Sequence, residues 1–121
     1  MCSSDLYIFS TMQCLELSPG EHYVLCRSAD PEENGGLTDC IEYGSVTLVN
    51  SNGVLGLGKP GLLVDLVPSY GTAADGISRS LDPEYYSASG NDSKDHWCNT
   101  PDSNKFSDGV GTPGKVNPSC D

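Results

Sequence analysis

Gly76-Ile77-Ser78-Arg79-Ser80-Leu81-Asp82-Pro83, then Asn91-Asp92 and His96-Trp97-Cys98, then Gly111-Thr112-Pro113-Gly114-Lys115-Val116-Asn117, follow one another through the last third of this chain. The order reads as a short strand ending in an Arg-x-Leu-Asp turn, a polar loop, an aromatic at a core position, and a closing Thr-Pro-Gly-x-x-Asn turn. Upstream, apolar runs are equally short. Candidate strands lie at Tyr7 to Leu15, His22 to Cys26, Ile41 to Tyr43, Val46 to Val49, Val54 to Leu57 and Leu62 to Leu66. None is both long and periodic enough for an amphipathic helix, so the chain reads as all-β. Leu17-Ser18-Pro19-Gly20-Glu21 is a turn, and Asn52-Gly53 reads as the tight hairpin dipeptide between two strands. Pro83-Glu84-Tyr85-Tyr86 is expected to make one helical turn, ended by Ser87-Ala88-Ser89-Gly90.

Taken in sequence, these pieces resemble a lamin-tail domain over roughly residues 17 to 117. The resemblance rests on the C-terminal motifs above, on the Leu17 to Glu21 turn, and on Val46-Thr47-Leu48-Val49-Asn50-Ser51-Asn52-Gly53 followed by Gly61-Leu62-Leu63-Val64-Asp65-Leu66-Val67-Pro68-Ser69-Tyr70. It departs from the family pattern after Gly53, where Val54 stands in place of the usual acidic residue. What it implies is an immunoglobulin-like β-sandwich of lamin-tail type, incomplete at its N-terminal side, because the family's opening strands are not matched. Met1 to Leu6 reads as the translation of a sequencing-adapter end. The expected division is therefore 1–6 artefact, 7–118 a partial lamin-tail-like domain, and 119–121 a C-terminal tail. A Trp97 buried as in the family is a further implication. Arg79 is expected to pair with a neighbouring carboxylate, a role that its place in the family's turn supports.

Composition narrows the function. The 121 residues include 14 Gly and 8 Pro with 36% hydrophobic residues, enough for a modest core that needs covalent help. Lys plus Arg number 6 against 17 Asp plus Glu, a net charge of −11. Such a surface repels phosphate backbones, so no nucleic-acid partner is expected. No apolar run reaches the ~20 residues of a membrane-spanning helix, and no secretory signal is present.

The 6 cysteines point to an oxidising compartment, extracellular or at the cell surface. They lack the paired Cys-x-x-Cys spacing of a structural zinc site. Cys26 is paired here with Cys40 across the Gly35-Gly36 loop, and Cys98 with Cys120 across the terminal loop, each closure contributing ~3 kcal/mol in the chain-entropy model. Cys14 is left as a free thiol, with a partner upstream, or in an accidental bond to the artefactual Cys2.

Catalytic signals are sparse. The 2 histidines, His22 and His96, are the available general bases. Neither belongs to a recognisable nucleophile motif, and there is neither a Gly-x-Ser-x-Gly nor a phosphate-cradling loop. Two polar loops, Asp30-Glu32-Asn34 and Asn91-Asp92-Asp95, offer the hard oxygen ligands that Ca2+ prefers, without an EF-hand spacing. The default for both is a solvated turn. Tyr85 and Tyr86 are the aromatics expected to stand exposed for ligand stacking, with Tyr43, Tyr70 and Trp97 in or near the core. The functional expectation is a non-catalytic interaction or structural module of a larger secreted or cell-surface bacterial protein, its partner a protein or a glycan at the cell surface. The alternatives are a carbohydrate-binding or calcium-dependent adhesion module, and a hydrolase fragment.

Overall fold

The computed structural model describes residues 16–43, 47–59 and 61–121. The expected strand at 7–15, the segment 1–6, Cys14 and Val46 lie outside the described residues. Among the described residues eight short strands occur: β1 (Leu25–Cys26), β2 (Ile41–Glu42), β3 (Leu55–Lys59), β4 (Leu62–Val67), β5 (Arg79–Leu81), β6 (Trp97–Asn99), β7 (Lys105–Phe106) and β8 (Gly109–Val110). Three single 3₁₀ turns, Pro83–Tyr85, Gly90–Asp92 and Lys94–His96, fill the loop between β5 and β6. The fold is thus β-rich with little helix. Its strands pair as four two-stranded sheets, β1-β2, β3-β4, β5-β6 and β7-β8, rather than as the two multi-stranded sheets of an immunoglobulin-like sandwich. Among the described residues no helix is long and apolar enough to cross a membrane.

Strand brevity follows from punctuation. Ser18 N donates to Glu21 Oε2 at 2.7 Å and Glu21 N returns to the Ser18 carbonyl at 3.0 Å, closing the Pro19-Gly20 turn. The strand expected from His22 then shrinks to Leu25–Cys26, which pairs in parallel with β2 through Leu25↔Ile41 and Cys26↔Glu42. A parallel pair needs a long return path. Here the path is the 14-residue step from Cys26 to Cys40, which the disulfide closes with the two Cα atoms 5.8 Å apart.

Asn34 holds that loop together. Its Nδ2 donates to the carbonyls of Ser28 (3.0 Å) and Leu37 (3.1 Å), and its Oδ1 accepts from Gly36 N (3.1 Å) and Leu37 N (2.8 Å). Asp30 Oδ1 likewise accepts from Glu32 N at 3.0 Å. These oxygens satisfy the loop's own amides, as buried or strained turns require.

The Asn52-Gly53 hairpin expectation is corrected by the register. The reversal between β3 and β4 closes on Lys59↔Leu62, where Gly61 at φ 77° supplies the left-handed conformation that the turn needs. Asn52 N instead donates to the Gly71 carbonyl at 2.8 Å and Tyr70 N to the Gly53 carbonyl at 3.4 Å, so this dipeptide lies against residues 70–71. Glycine is needed at 53 for space. A Cβ there would collide with the phenol of Tyr70, whose hydroxyl donates to the Val49 carbonyl. With its backbone engaged by Tyr70, the stretch Thr47 to Val49 forms no ladder, although a strand was expected there.

The core is small and partly polar. Cys26, Val67, Tyr70 and Val110 are its buried apolar members, beside Ser80, Asp82 and Thr100. On the paired strands β5 and β6, Thr100 Oγ1 donates to the Ser78 carbonyl at 3.1 Å. Its lone pairs then receive the hydroxyls of Ser78, at 2.7 Å, and of Ser80. Each buried hydroxyl is thereby satisfied, which removes the penalty for placing them inside.

The Cys26–Cys40 bond is predicted to carry much of the stability of the β1-β2 half. Replacing both cysteines by alanine is expected to lower the unfolding free energy by about 3 kcal/mol, measured by urea titration, with loss of amide protection at Ile41 and Tyr43.

Candidate functional site

The densest constellation of polar side chains surrounds β5, β6 and the segment that follows β8. Its centre is Asp82, only 5% exposed. As the cap of the Pro83–Tyr85 turn, Asp82 accepts from Glu84 N at 2.9 Å through Oδ1. Through Oδ2 it accepts from Cys120 N at 2.8 Å and from Ser119 Oγ at 3.3 Å. The hydrogen bond from Cys120 N, followed by that from Glu84 N, holds the carboxyl below its ordinary pKa of 3.8. Partial removal from water works the other way, while Ser119 and the nearby His96 add to the lowering. Residues 119–121, expected to be a tail, therefore place two donors on this carboxylate. The Cys98–Cys120 disulfide fastens the same segment covalently to β6, with the Cα atoms 5.7 Å apart.

The closing motif has a job of the same kind. Thr112 Oγ1 donates to Asn117 Oδ1 at 2.8 Å, and Asn117 Nδ2 donates to the Leu81 carbonyl at 2.9 Å. Asn117 N donates in turn to the hydroxyl of Tyr86 at 2.9 Å. The Thr-Pro-Gly-x-x-Asn stretch thus folds back on itself and binds the end of β5.

Arg79 corrects the expected ion pair. Its Nε donates to the Tyr70 carbonyl at 2.9 Å, one terminal nitrogen to Asn99 Oδ1 at 3.1 Å, and the other to the Trp97 carbonyl at 2.5 Å. All three acceptors are uncharged. Burial of the guanidinium lowers its pKa, and the planar fork is what allows one side chain to join three separate segments.

The loop between β5 and β6 presents the aromatics. Tyr85 stacks on His96 with ring centroids 3.5 Å apart and planes 5° from parallel, while His96 Nδ1 meets the Gly90 carbonyl at 2.6 Å. Trp97, expected in the core, is half-buried, and its Nε1 donates to the Asn91 carbonyl at 3.0 Å. Tyr85 and Tyr86 are exposed, at 38% and 44%. They do not form one platform: Tyr85 belongs to His96, and Tyr86 to a groove of about 380 Å³ shared with Trp97, Asn91, Lys115 and Asn117. His22, exposed, stands at that groove too.

Asn91, Asp92 and Asp95 are the sequence-based metal candidates. Asn91 Nδ2 donates to Asp65 Oδ2 on β4 at 2.6 Å, and Asn91 Oδ1 is buried without a hydrogen-bond partner among the described residues. Asp92 and Asp95 are exposed. Among the described residues no group of three or more His, Cys, Asp or Glu side chains converges to hold a metal ion. A larger groove, about 660 Å³, lies against the β1-β2 loop. Three of its polar side chains are committed locally: Glu33 accepts from Ser28 Oγ at 2.7 Å, Glu42 from Ala29 N at 2.9 Å, and Asn34 binds the loop backbone. The groove at Tyr86 and Trp97 is the candidate site that sequence reasoning missed as a unit. The one available signal was the spacing of Tyr86, Trp97 and the closing turn, which gives no hint that the chain brings them together.

Comparison with family models, with curated proteins and with solved structures found no match.

Asp82 gives a signed pH prediction. A carboxyl whose folded-state pKa lies below its unfolded value contributes stability that is present above the unfolded pKa and is lost as pH falls through the folded one. Asp82→Asn is expected to be less stable than wild type near neutrality and to converge with it in acid, in urea titrations run across that range. Arg79→Lys, which cannot reach three acceptors, is expected to cost about 1–3 kcal/mol by the same measurement.

Proposed function

We propose that this chain is a non-catalytic interaction module of a larger secreted or cell-surface bacterial protein, built on an immunoglobulin-like sandwich of lamin-tail type to which the described residues contribute one part. The observation that carries the reading is the β3-β4 ribbon. Leu55, Leu57, Leu62, Leu63, Val64 and Leu66 are between 37% and 64% exposed. Direct pairing places Leu55 and Leu57 on the face of Val67, and Leu66 and Leu63 on the face of Gly56 and Gly58, with a bulge between Leu57 and Gly58. Both faces of the ribbon therefore carry aliphatic side chains, with Asp65, opposite Leu57, the polar exception on the Val67 face, a composition close to that of strands covered on two sides. A lone two-stranded ribbon is marginal in water, and a patch of this kind marks a surface made for polypeptide.

Secretion is supported by the two disulfides, a feature common in extracellular proteins. The non-catalytic reading is supported by the surroundings of His96: its Nδ1 meets the Gly90 carbonyl, its ring stacks on Tyr85, and among the described residues no Ser, Thr or Cys side chain hydrogen-bonds to the ring. A protein partner accords with the net charge of −11, which disfavours polyanions.

The test is amide hydrogen exchange over Leu55 to Val67, measured in this chain alone and in the whole protein encoded at its locus. Rapid exchange in the isolated chain and at least about a hundredfold slowing in the whole protein are expected, since burial of the ribbon suppresses local opening by a few kcal/mol. Equal rates in the two samples would remove the reading.

A further inference from the structure

We propose that the groove at Tyr86 and Trp97 binds a neutral saccharide, a ligand class that rests on the binding-module reading and specifies it. The groove is bounded by segments from several parts of the sequence: His22, the end of β5 with the Pro83–Tyr85 turn that follows it, Asn91, β6, and the Thr112 to Asn117 fold-back. Its two aromatic rings are fixed before any ligand arrives. Tyr86 is held through its hydroxyl, which accepts from Asn117 N at 2.9 Å, and Trp97 through its indole N–H on the Asn91 carbonyl at 3.0 Å. The indole N–H is spent on protein and the Tyr86 oxygen is anchored while its O–H proton stays free, so a ligand meets the apolar surface of both rings and one phenolic donor. Rings held in this way lose little conformational entropy on binding.

The polar fittings select the ligand's other side. Asn91 Oδ1 is a buried acceptor without a donor among the described residues, while its amide nitrogen is committed to Asp65. An unmet buried acceptor is costly, and a ligand hydroxyl reaches this one when the amide turns toward the groove and exchanges its bond to Asp65 for the ligand. Ser87 Oγ, which already accepts from Gly90 N at 2.9 Å, keeps its proton for a ligand oxygen. Lys115, exposed at the rim, brings an ammonium donor. A ligand with a flat apolar face and an edge of hydroxyl groups meets all of these demands, and a sugar ring is such a ligand. At about 380 Å³ the open groove is near the small end of ligand sites, suited to the terminal one or two rings of a chain. Charge sets the last condition. A net charge of −11 disfavours the approach of acidic polymers at long range, which favours a neutral saccharide over an acidic one.

The chain contains 1 tryptophan, so the emission of Trp97 reports the groove alone. The full chain, with disulfides formed, is applied to an array of neutral cello-, xylo-, manno- and chito-oligosaccharides, and each hit is titrated in solution by Trp97 fluorescence. A saturable change is expected, weakened about tenfold by Tyr86→Ala and retained by Tyr86→Phe. Lys115→Ala, at an exposed position, serves if Tyr86→Ala fails to fold, and is expected to weaken binding several-fold. No saccharide that changes Trp97 emission, or binding that survives both substitutions, would overturn the proposal. So would a proline-rich peptide that alters Trp97 emission where no saccharide does. Because the exchange experiment reads the β3-β4 ribbon and this one reads the groove, failure here leaves the module reading to stand or fall on its own data.

Discussion

Asp82 receives Cys120 N, Glu84 N and Ser119 Oγ on a carboxylate that is almost fully withdrawn from water, and the C-terminal half of the molecule is arranged around those three bonds. A buried charge is tolerated only when donors surround it. In meeting that demand the chain caps the 3₁₀ turn that carries Tyr85 and leads to Tyr86, and it draws the terminal segment onto the β5-β6 pair. The Cys98–Cys120 disulfide makes the same connection covalently. Neither device alone explains the geometry: the disulfide limits how far the segment travels, and the carboxylate fixes where its amide points. Asn117 on Leu81 and Tyr86 completes the attachment.

Arg79 plays the matching part on the other side of β5. By donating to the carbonyls of Tyr70 and Trp97 and to Asn99, it joins the end of the β3-β4 region to β6 without any opposing charge. Tyr70 then passes the constraint on through its hydroxyl to Val49 and through its ring to Gly53. A core with few buried apolar residues is thus replaced in function by polar knots that are locally complete. This economy has a consequence for surface chemistry. Rings anchored by the fold, such as Tyr86 and Trp97, have their flat surfaces to offer, whereas the ribbon of β3 and β4 offers aliphatic surface on both faces. The two regions differ in kind, one rigid, grooved and aromatic, the other a broad aliphatic face.

Much of the fold was legible in the chain. Dense Gly and Pro punctuation with short apolar runs announced a β-rich, turn-rich structure, and the pairings expected across the Gly35-Gly36 loop and the terminal loop, Cys26–Cys40 and Cys98–Cys120, are the ones formed. The helical turn opening at Pro83 was readable, and the structure adds Asp82 as its cap. Less legible was which turn closes which strands. Asn52-Gly53 carries the strongest local hairpin signature, yet the register places the reversal at Gly61, because a ring arriving from residue 70 occupies the space beside Gly53. The partner of Arg79 was misread for a similar reason: in a chain with 17 acids a carboxylate is the default partner, but backbone carbonyls of two strands were nearer.

The sequence by itself determined the class of structure, its charge and its covalent staples, since these depend on composition and on contacts close along the chain. Only the tertiary structure decided that strands β1 and β2 run parallel, that Tyr85 and Tyr86 serve different neighbours, and that Tyr86, Trp97 and Lys115 share one groove. Those outcomes turn on which donor reaches which acceptor after distant segments meet, and the linear order of residues does not encode that competition separately from the fold itself.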